Sequence, residues 1–115
     1  MLPAEHRLTE RALFAATVRG GQRVGGRTLV LHLMSRGSGQ PALVGFVVSK
    51  AVGNAVVRNR VKRRLRAILA SRLSLLPVGS LLVVRALAPA AGTDFATLEA
   101  DVERSLNRLL DRTAA

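Results

Sequence analysis

"GNAVVRNRVKRRLR", residues 53–66, places six Arg/Lys between positions 58 and 66 with apolar residues threaded among them at helical spacing. On a helix at about 100° per residue, Val57, Val61, Leu65 and Ile68 fall on one face with Leu69 at its edge. Arg58, Arg60, Lys62, Arg63, Arg64 and Arg66 fan over the remaining circumference. One narrow stripe docks, and everything else is cationic. A solvated helix usually alternates sign for i,i+4 support, but this one has no acidic residue, and its like-charge pairs at 58/62, 60/64 and 62/66 cost roughly 1 kcal/mol together in isolation. Something outside the protein has to offset that repulsion. Just before the helix, Gly53 permits a turn with positive φ and Asn54 can act as N-cap, leaving N–H groups and the positive dipole end facing a phosphate. A plain stop-and-cap explains the same pair equally well.

Outward from this helix, which should run to about Arg72, the elements alternate in type. Upstream, "RTLVLHLM" (27–34) and "ALVGFVVSK" (42–50) are rich in β-formers and are joined by the loop "SRGSGQP", so a hairpin is the natural pairing; "VG" at 52–53 ends the second run. A short extra strand is expected near Arg23 and Val24. Residues 9–19, "TERALFAATVR", read as a first helix capped by Thr9, with Glu10 in its positive first turn and Leu13, Phe14 and Val18 at helical spacing. Downstream, Pro77 and Gly79 break the chain before "SLLVVRAL" (80–87), a continuous apolar strand of the buried kind. A last helix is expected from about Asp94 to Arg112, with the stripe Leu98, Val102, Leu106 and Leu109. Its acids, Asp94, Glu99, Asp101 and Glu103, come early, and Arg104, Arg108 and Arg112 come late, as the helix dipole favours. The fold class is an α/β (α+β) two-layer sandwich, with three helices covering a sheet of three or four strands.

Composition bounds the function. The 115 residues suit one domain, 1–115, and 49% hydrophobic content with a mean hydropathy of +0.26 implies a real core. Without cysteine there is no disulfide, thiolate metal site or Cys nucleophile. "MLPAEHRLTE" lacks an apolar run of signal-peptide length, and no uncharged apolar stretch is long enough to span a bilayer, so a soluble cytoplasmic protein is expected. The net charge is +11, and between Arg11 and Thr93 fourteen Arg/Lys stand with no Asp or Glu. Those cations have almost no acidic partner within the chain, which points to an external polyanion and first of all to nucleic acid. An anionic membrane fits less well, because the amphipathic helix has no Trp, Phe or Tyr at its apolar edge. The same poverty in carboxylates argues against a two-metal nuclease, and His6 and His32 have no obvious acid–base partner, so no catalytic residue and no metal ligand is nominated.

The stretch "GFVVSKAVGNAVVRNRVKRRLR" (45–66) closely resembles the signature of the bacterial ribonuclease P protein subunit, with Arg58, Asn59 and Arg60 as its "RNR" core. "RLTERALFAATVRGGQRV", "TLVLHLM" and "LLVVRALAPA" extend the resemblance over most of the chain. The resemblance implies an αβββαβα order with a left-handed crossover through the third strand, long helix and last strand, against the right-handed rule for such units. It also implies a holoenzyme that removes the 5′ leader of precursor tRNA, with the catalytic centre and its Mg²⁺ on the RNA subunit. The protein would bind that RNA and the single-stranded leader, but neither DNA nor membrane. Carried over by position, Lys50, Gly53, Asn54, Arg58, Arg60 and Arg64 would meet the RNA subunit. Phe14, Val18, His32, Asn59, Lys62, Arg63 and Arg66 would line a leader cleft between the first helix and the sheet, combining stacking surface with a cationic track. Val18 and His32 stand where the family commonly has aromatics, Leu43 where Arg is frequent and Ala51 where a second Lys is usual, so stacking falls to Phe14 and His32. Without the resemblance, Phe14 reads as an ordinary core aromatic. A ribosomal or RNA-chaperone protein using the helix as an RNA anchor is the alternative.

Overall fold

The long basic helix forms because its local signals agree. In a computed structural model that describes residues 2–37 and 39–114, this helix, α2, spans Ala55–Ala70. Asn54 caps it, its Oδ1 accepting from the Val57 N–H at 3.0 Å. Gly53 has φ 156°, and a Cβ there would come within 2.9 Å of Val57 Cγ1, so a bare backbone is what lets the chain enter the helix this tightly. Val61, Leu65, Ile68 and Leu69 are buried and Val57 packs at the margin of the core, as the spacing predicts. The helix stops two residues short of Arg72, where the Ser71 hydroxyl donates to the Ile68 carbonyl at 2.9 Å.

The remaining elements are helix α1 (Arg11–Gly20), strands β1 (Gln22–Gly25), β2 (Leu29–Ser35), β3 (Leu43–Val47) and β4 (Ser80–Ala86), and helix α3 (Phe95–Ala114). Short 3-10 turns lie at Ala4–His6, Leu73–Leu75 and Ala88–Gly92. The expected extra strand is thus present as β1. Thr9 does not cap α1: the N-cap position is Glu10, with no side-chain hydrogen bond, so the helix starts one residue later than Thr9 could serve. Asp94 does cap α3, its Oδ1 accepting from the Thr97 N–H at 2.7 Å, and that bond holds its carboxyl below the ordinary range.

The hairpin expected between residues 27–34 and 42–50 does not form. The sheet order is β1-β2-β4-β3, so β4 separates β2 from β3. It runs antiparallel to β2, with Leu31 opposite Val84, and parallel to β3, with Val44 opposite Leu82. The physical reason is burial. Leu81 to Val84 are all buried, on both faces, and such a strand belongs at the centre, where neighbours on each side satisfy its N–H and C=O groups. The less covered runs take the edges.

The two faces of the sheet carry different cores. On one face Leu29, Leu31, Leu33, Val44, Leu82 and Val84 meet the stripes of α2 and α3, including Leu98, Val102, Leu106 and Leu109. On the other face Leu81 and Val83 pack with Leu8, and α1 lays Leu13, Phe14 and Val18 over them. The sheet and the α2–α3 layer make the sandwich, with α1 across part of its second face. A buried Asp101 ties the layers, accepting from the Thr28 hydroxyl at 2.7 Å and pairing with Arg104.

Candidate nucleic-acid interface

Once its apolar stripe is buried, α2 shows two flanks, because residues four apart repeat on one side of a helix. Arg58, Lys62 and Arg66 follow one flank, Arg60 and Arg64 the other, with Asn59 and Arg63 facing outward between them. Lys62 and Arg66 line a cleft of about 180 Å³ whose other walls are Phe14, Val44, Gly45, Phe46, Leu8, Thr9 and Arg7. A neighbouring hollow of about 420 Å³ is bounded by Arg7, Arg63, Arg66 and Ala67. Lys62, Arg63 and Arg66 make no hydrogen bond or ion pair among the described residues. Cationic donors therefore stand uncompensated beside an aromatic, which is what a phosphate backbone carrying unstacked bases requires. A third hollow, about 310 Å³ between Gly20, Met34, Pro77 and Thr113, has no charged side chain in its lining.

The floor of the cleft depends on a close approach. Phe14, half-buried on α1, rests against Gly45 of β3 so tightly that any Cβ at that position would collide with the ring. Val18, one turn further along α1, packs on the Leu81–Val83 cluster and lines neither space. His32 lies in the same sheet row, opposite Arg23 on β1 and Val83 on β4, and is only 2% exposed. Both of its ring nitrogens are buried without a hydrogen-bond partner. Burial, then the Arg85 and Arg23 guanidiniums, push its pKa down, so the ring is held neutral. A ring this deeply buried offers no open face for a nucleic-acid base to stack on. Of the nominated stacking residues, Phe14 is thus the one that the structure brings beside Lys62 and Arg66.

At the start of α2, Lys50 and Asn54 are exposed and Gly53 is half-exposed. Arg58 is half-buried, with its Nε sequestered and unpartnered. Arg60 and Arg64 are engaged within the protein, donating to the carbonyls of Ala91 at 3.0 Å and Thr93 at 3.1 Å. Among the described residues, Arg72 of the acid-free span pairs with Glu99 at 3.3 Å and Glu103 at 3.6 Å, and Arg64 lies close enough to Asp94 to help hold its carboxyl ionised. Those acids lie on α3 or at its N-cap, beyond the reach of any local pattern. His6 is half-buried, its Nδ1 2.7 Å from the Ala42 carbonyl.

Arg7 and Phe46 line the cleft without having been nominated from sequence. Arg7 is brought there when the N-terminal segment joins the edge of β3, the Leu8 N–H donating to the Val44 carbonyl at 2.9 Å. The one available signal was its charge beside an apolar Leu8. Among the described residues no group of three or more His, Cys, Asp or Glu comes together. No helix among them is long and apolar enough to cross a membrane.

The comparisons agree with this geometry. The Ribonuclease P family model matches residues 2–110. The chain is 53% identical to the ribonuclease P protein component of Streptomyces bikiniensis, with 96% of each chain covered. It is 56% identical to that of Beutenbergia cavernae, over 95% of this chain and 92% of the other. The solved structure of the Staphylococcus aureus RNase P protein superposes with a TM-score of 0.81 at 26% identity, covering 89% of this chain and 93% of that one. A basic helix flanking an aromatic-floored cleft, a β4-centred mixed sheet and a family match over nearly the full length converge, and the chain belongs to the ribonuclease P protein family.

Proposed function

We propose that this chain, as the protein subunit of a ribonuclease P, binds the catalytic RNA and holds the single-stranded 5′ leader of precursor tRNA while the leader is removed. The observation that carries the reading is the cleft in which Phe14 stands beside Lys62, Arg66 and Arg7, with no carboxylate in its lining. A single strand binds by stacking its bases and threading its phosphates along cations, and both elements meet there. Asn59 and Arg63 continue the track over the outer face of α2. Val18, on the underside of α1, and His32, in the sheet beneath that helix, support the cleft without lining it. The RNA subunit meets the start of α2, at Lys50, Gly53, Asn54 and Arg58, where the exposed Lys50, the half-buried Arg58 and the helix N–H groups favour phosphate. Cleavage belongs to the RNA subunit, whose phosphates would hold the Mg²⁺ that supplies the charge stabilisation; this chain's residues bind and orient. The site of action is the cytoplasm, and the ribosomal-anchor alternative has no observation in its favour.

The test compares precursor tRNA with and without its leader, incubated with the RNA subunit and Mg²⁺, in the presence and absence of the protein. The protein should tighten binding of the leader-bearing precursor and lower its Mg²⁺ requirement while leaving the leaderless RNA unchanged. Equal effects on both, or cleavage by the protein alone, would overturn the assignment.

A further inference from the structure

Arg60 and Arg64 lie one turn apart on the flank of α2 that faces away from the Phe14 cleft. Each spends a guanidinium N–H on a backbone carbonyl, Arg60 on Ala91 and Arg64 on Thr93. Both oxygens sit where the Ala88–Gly92 turn ends and α3 has not begun, so neither belongs to a helix ladder. Two carbonyl dipoles thereby compensate the 60/64 like-charge pair from within the protein, whereas the cations at 62, 63 and 66 have no such partner. The apolar stripe of Val61, Leu65, Ile68 and Leu69 seats the helix but leaves it able to roll, since packed aliphatic side chains are weakly directional. The two hydrogen bonds are directional and anchor one edge. At about 100° per residue, Lys62 and Arg66 emerge roughly opposite that edge, so a roll of α2 would swing them out of the cleft.

We propose that Arg60 and Arg64 are positioning residues: by clamping α2 to the Ala91 and Thr93 carbonyls they aim Lys62 and Arg66 at the Phe14 cleft, and they do not themselves neutralise RNA phosphates. This rests on the leader-binding reading above. It divides the basic helix into a flank that binds RNA and a flank that binds the protein.

The test measures RNA-subunit affinity against salt, and precursor affinity with and without leader, for the holoenzyme carrying Arg60→Ala, Arg64→Ala, the double variant, or Arg60→Lys. Lys50→Ala serves as the phosphate-contact control, and circular dichroism sets a temperature at which every variant is folded. Lys50→Ala should shallow the salt slope by about one unit. Arg60→Ala and Arg64→Ala should leave the slope unchanged yet reduce the preference for leader-bearing precursor, by about tenfold in the double variant. Arg60→Lys, whose ammonium can still donate to the Ala91 carbonyl, should restore most of the preference lost in Arg60→Ala. A slope shallower by about one unit in either single Ala variant overturns the clamp, and so does a leader preference that survives the double variant. Should the double variant unfold, the two singles and Arg60→Lys decide the matter. If the wild-type protein shows no leader preference, the functional reading fails separately; amide hydrogen exchange along α2, faster in Arg60→Ala than in Arg60→Lys, then still reads out the clamp.

Discussion

The ring of Phe14 on α1 is seated against the bare backbone of Gly45 on β3, and a methyl group at position 45 would occupy the space that the ring fills. One residue is therefore both packing for α1 and a wall of the cationic cleft. Gly45→Ala should push the ring from its seat, lowering stability by about 1–3 kcal/mol in denaturant titrations. Affinity for leader-bearing precursor should fall with it, and affinity for leaderless RNA should hold. Phe14→Ala should cost leader binding about 1–3 kcal/mol if a base stacks on the ring. Matching losses with and without leader would assign Phe14 to packing alone.

The unpaired and paired arginines should separate by salt dependence. Each phosphate neutralised should steepen the slope of log K for the RNA subunit against log salt by about 0.9 for a duplex-like partner. Arg72, held by Glu99 and Glu103, contributes nothing to that slope. Arg72→Ala should leave it unchanged while lowering stability by about 1 kcal/mol, in line with partly exposed ion pairs and the lost bond to the Ile68 carbonyl. A shallower slope in Arg72→Ala would show that the ion pairs open on RNA binding.

His32 makes stability depend on pH in a defined direction. Its folded pKa lies below the ordinary 6.5, chiefly through burial and then through Arg85 and Arg23. Between those two values the unfolded chain takes up a proton that the folded chain refuses, so stability is full above about pH 6.5 and falls as pH drops toward the folded pKa. His32→Leu removes this dependence. Because it also removes two buried, unpartnered nitrogens, it should be neutral or stabilising by about 1 kcal/mol at pH 8, with a growing advantage at pH 5.5. Melting curves of the two proteins that shift in parallel across this range would contradict the assignment.

Thr28 and Asp101 join the β1–β2 connection to α3 through a buried 2.7 Å hydrogen bond. Thr28→Val keeps the shape and leaves a buried carboxylate short of one donor, which should cost about 1–3 kcal/mol of stability with no change in RNA affinity at saturating protein. Asp101→Asn, which keeps an acceptor for the Thr28 hydroxyl, should cost less.

Sequence alone sufficed where the determining interactions are local. The stripes of α2 and α3, the Asn54 cap and the glycine before it follow from a 3.6-residue period and from groups within four positions of one another. The excess of cations over acids is legible in composition in the same way. Thr9 was misplaced by one residue because neighbouring polar residues at a helix start compete for the cap on nearly equal terms. Tertiary structure decided what crosses the chain. Strand partners are chosen by which run is most deeply buried, and this put β4 between β2 and β3 in place of the hairpin. The same long-range packing gave Arg72 its two acids, tied Arg60 and Arg64 to carbonyls some thirty positions away, brought Arg7 into the cleft and buried His32. Charge is a property of composition, but its availability depends on which neighbours the fold delivers, and no periodicity within the chain encodes that.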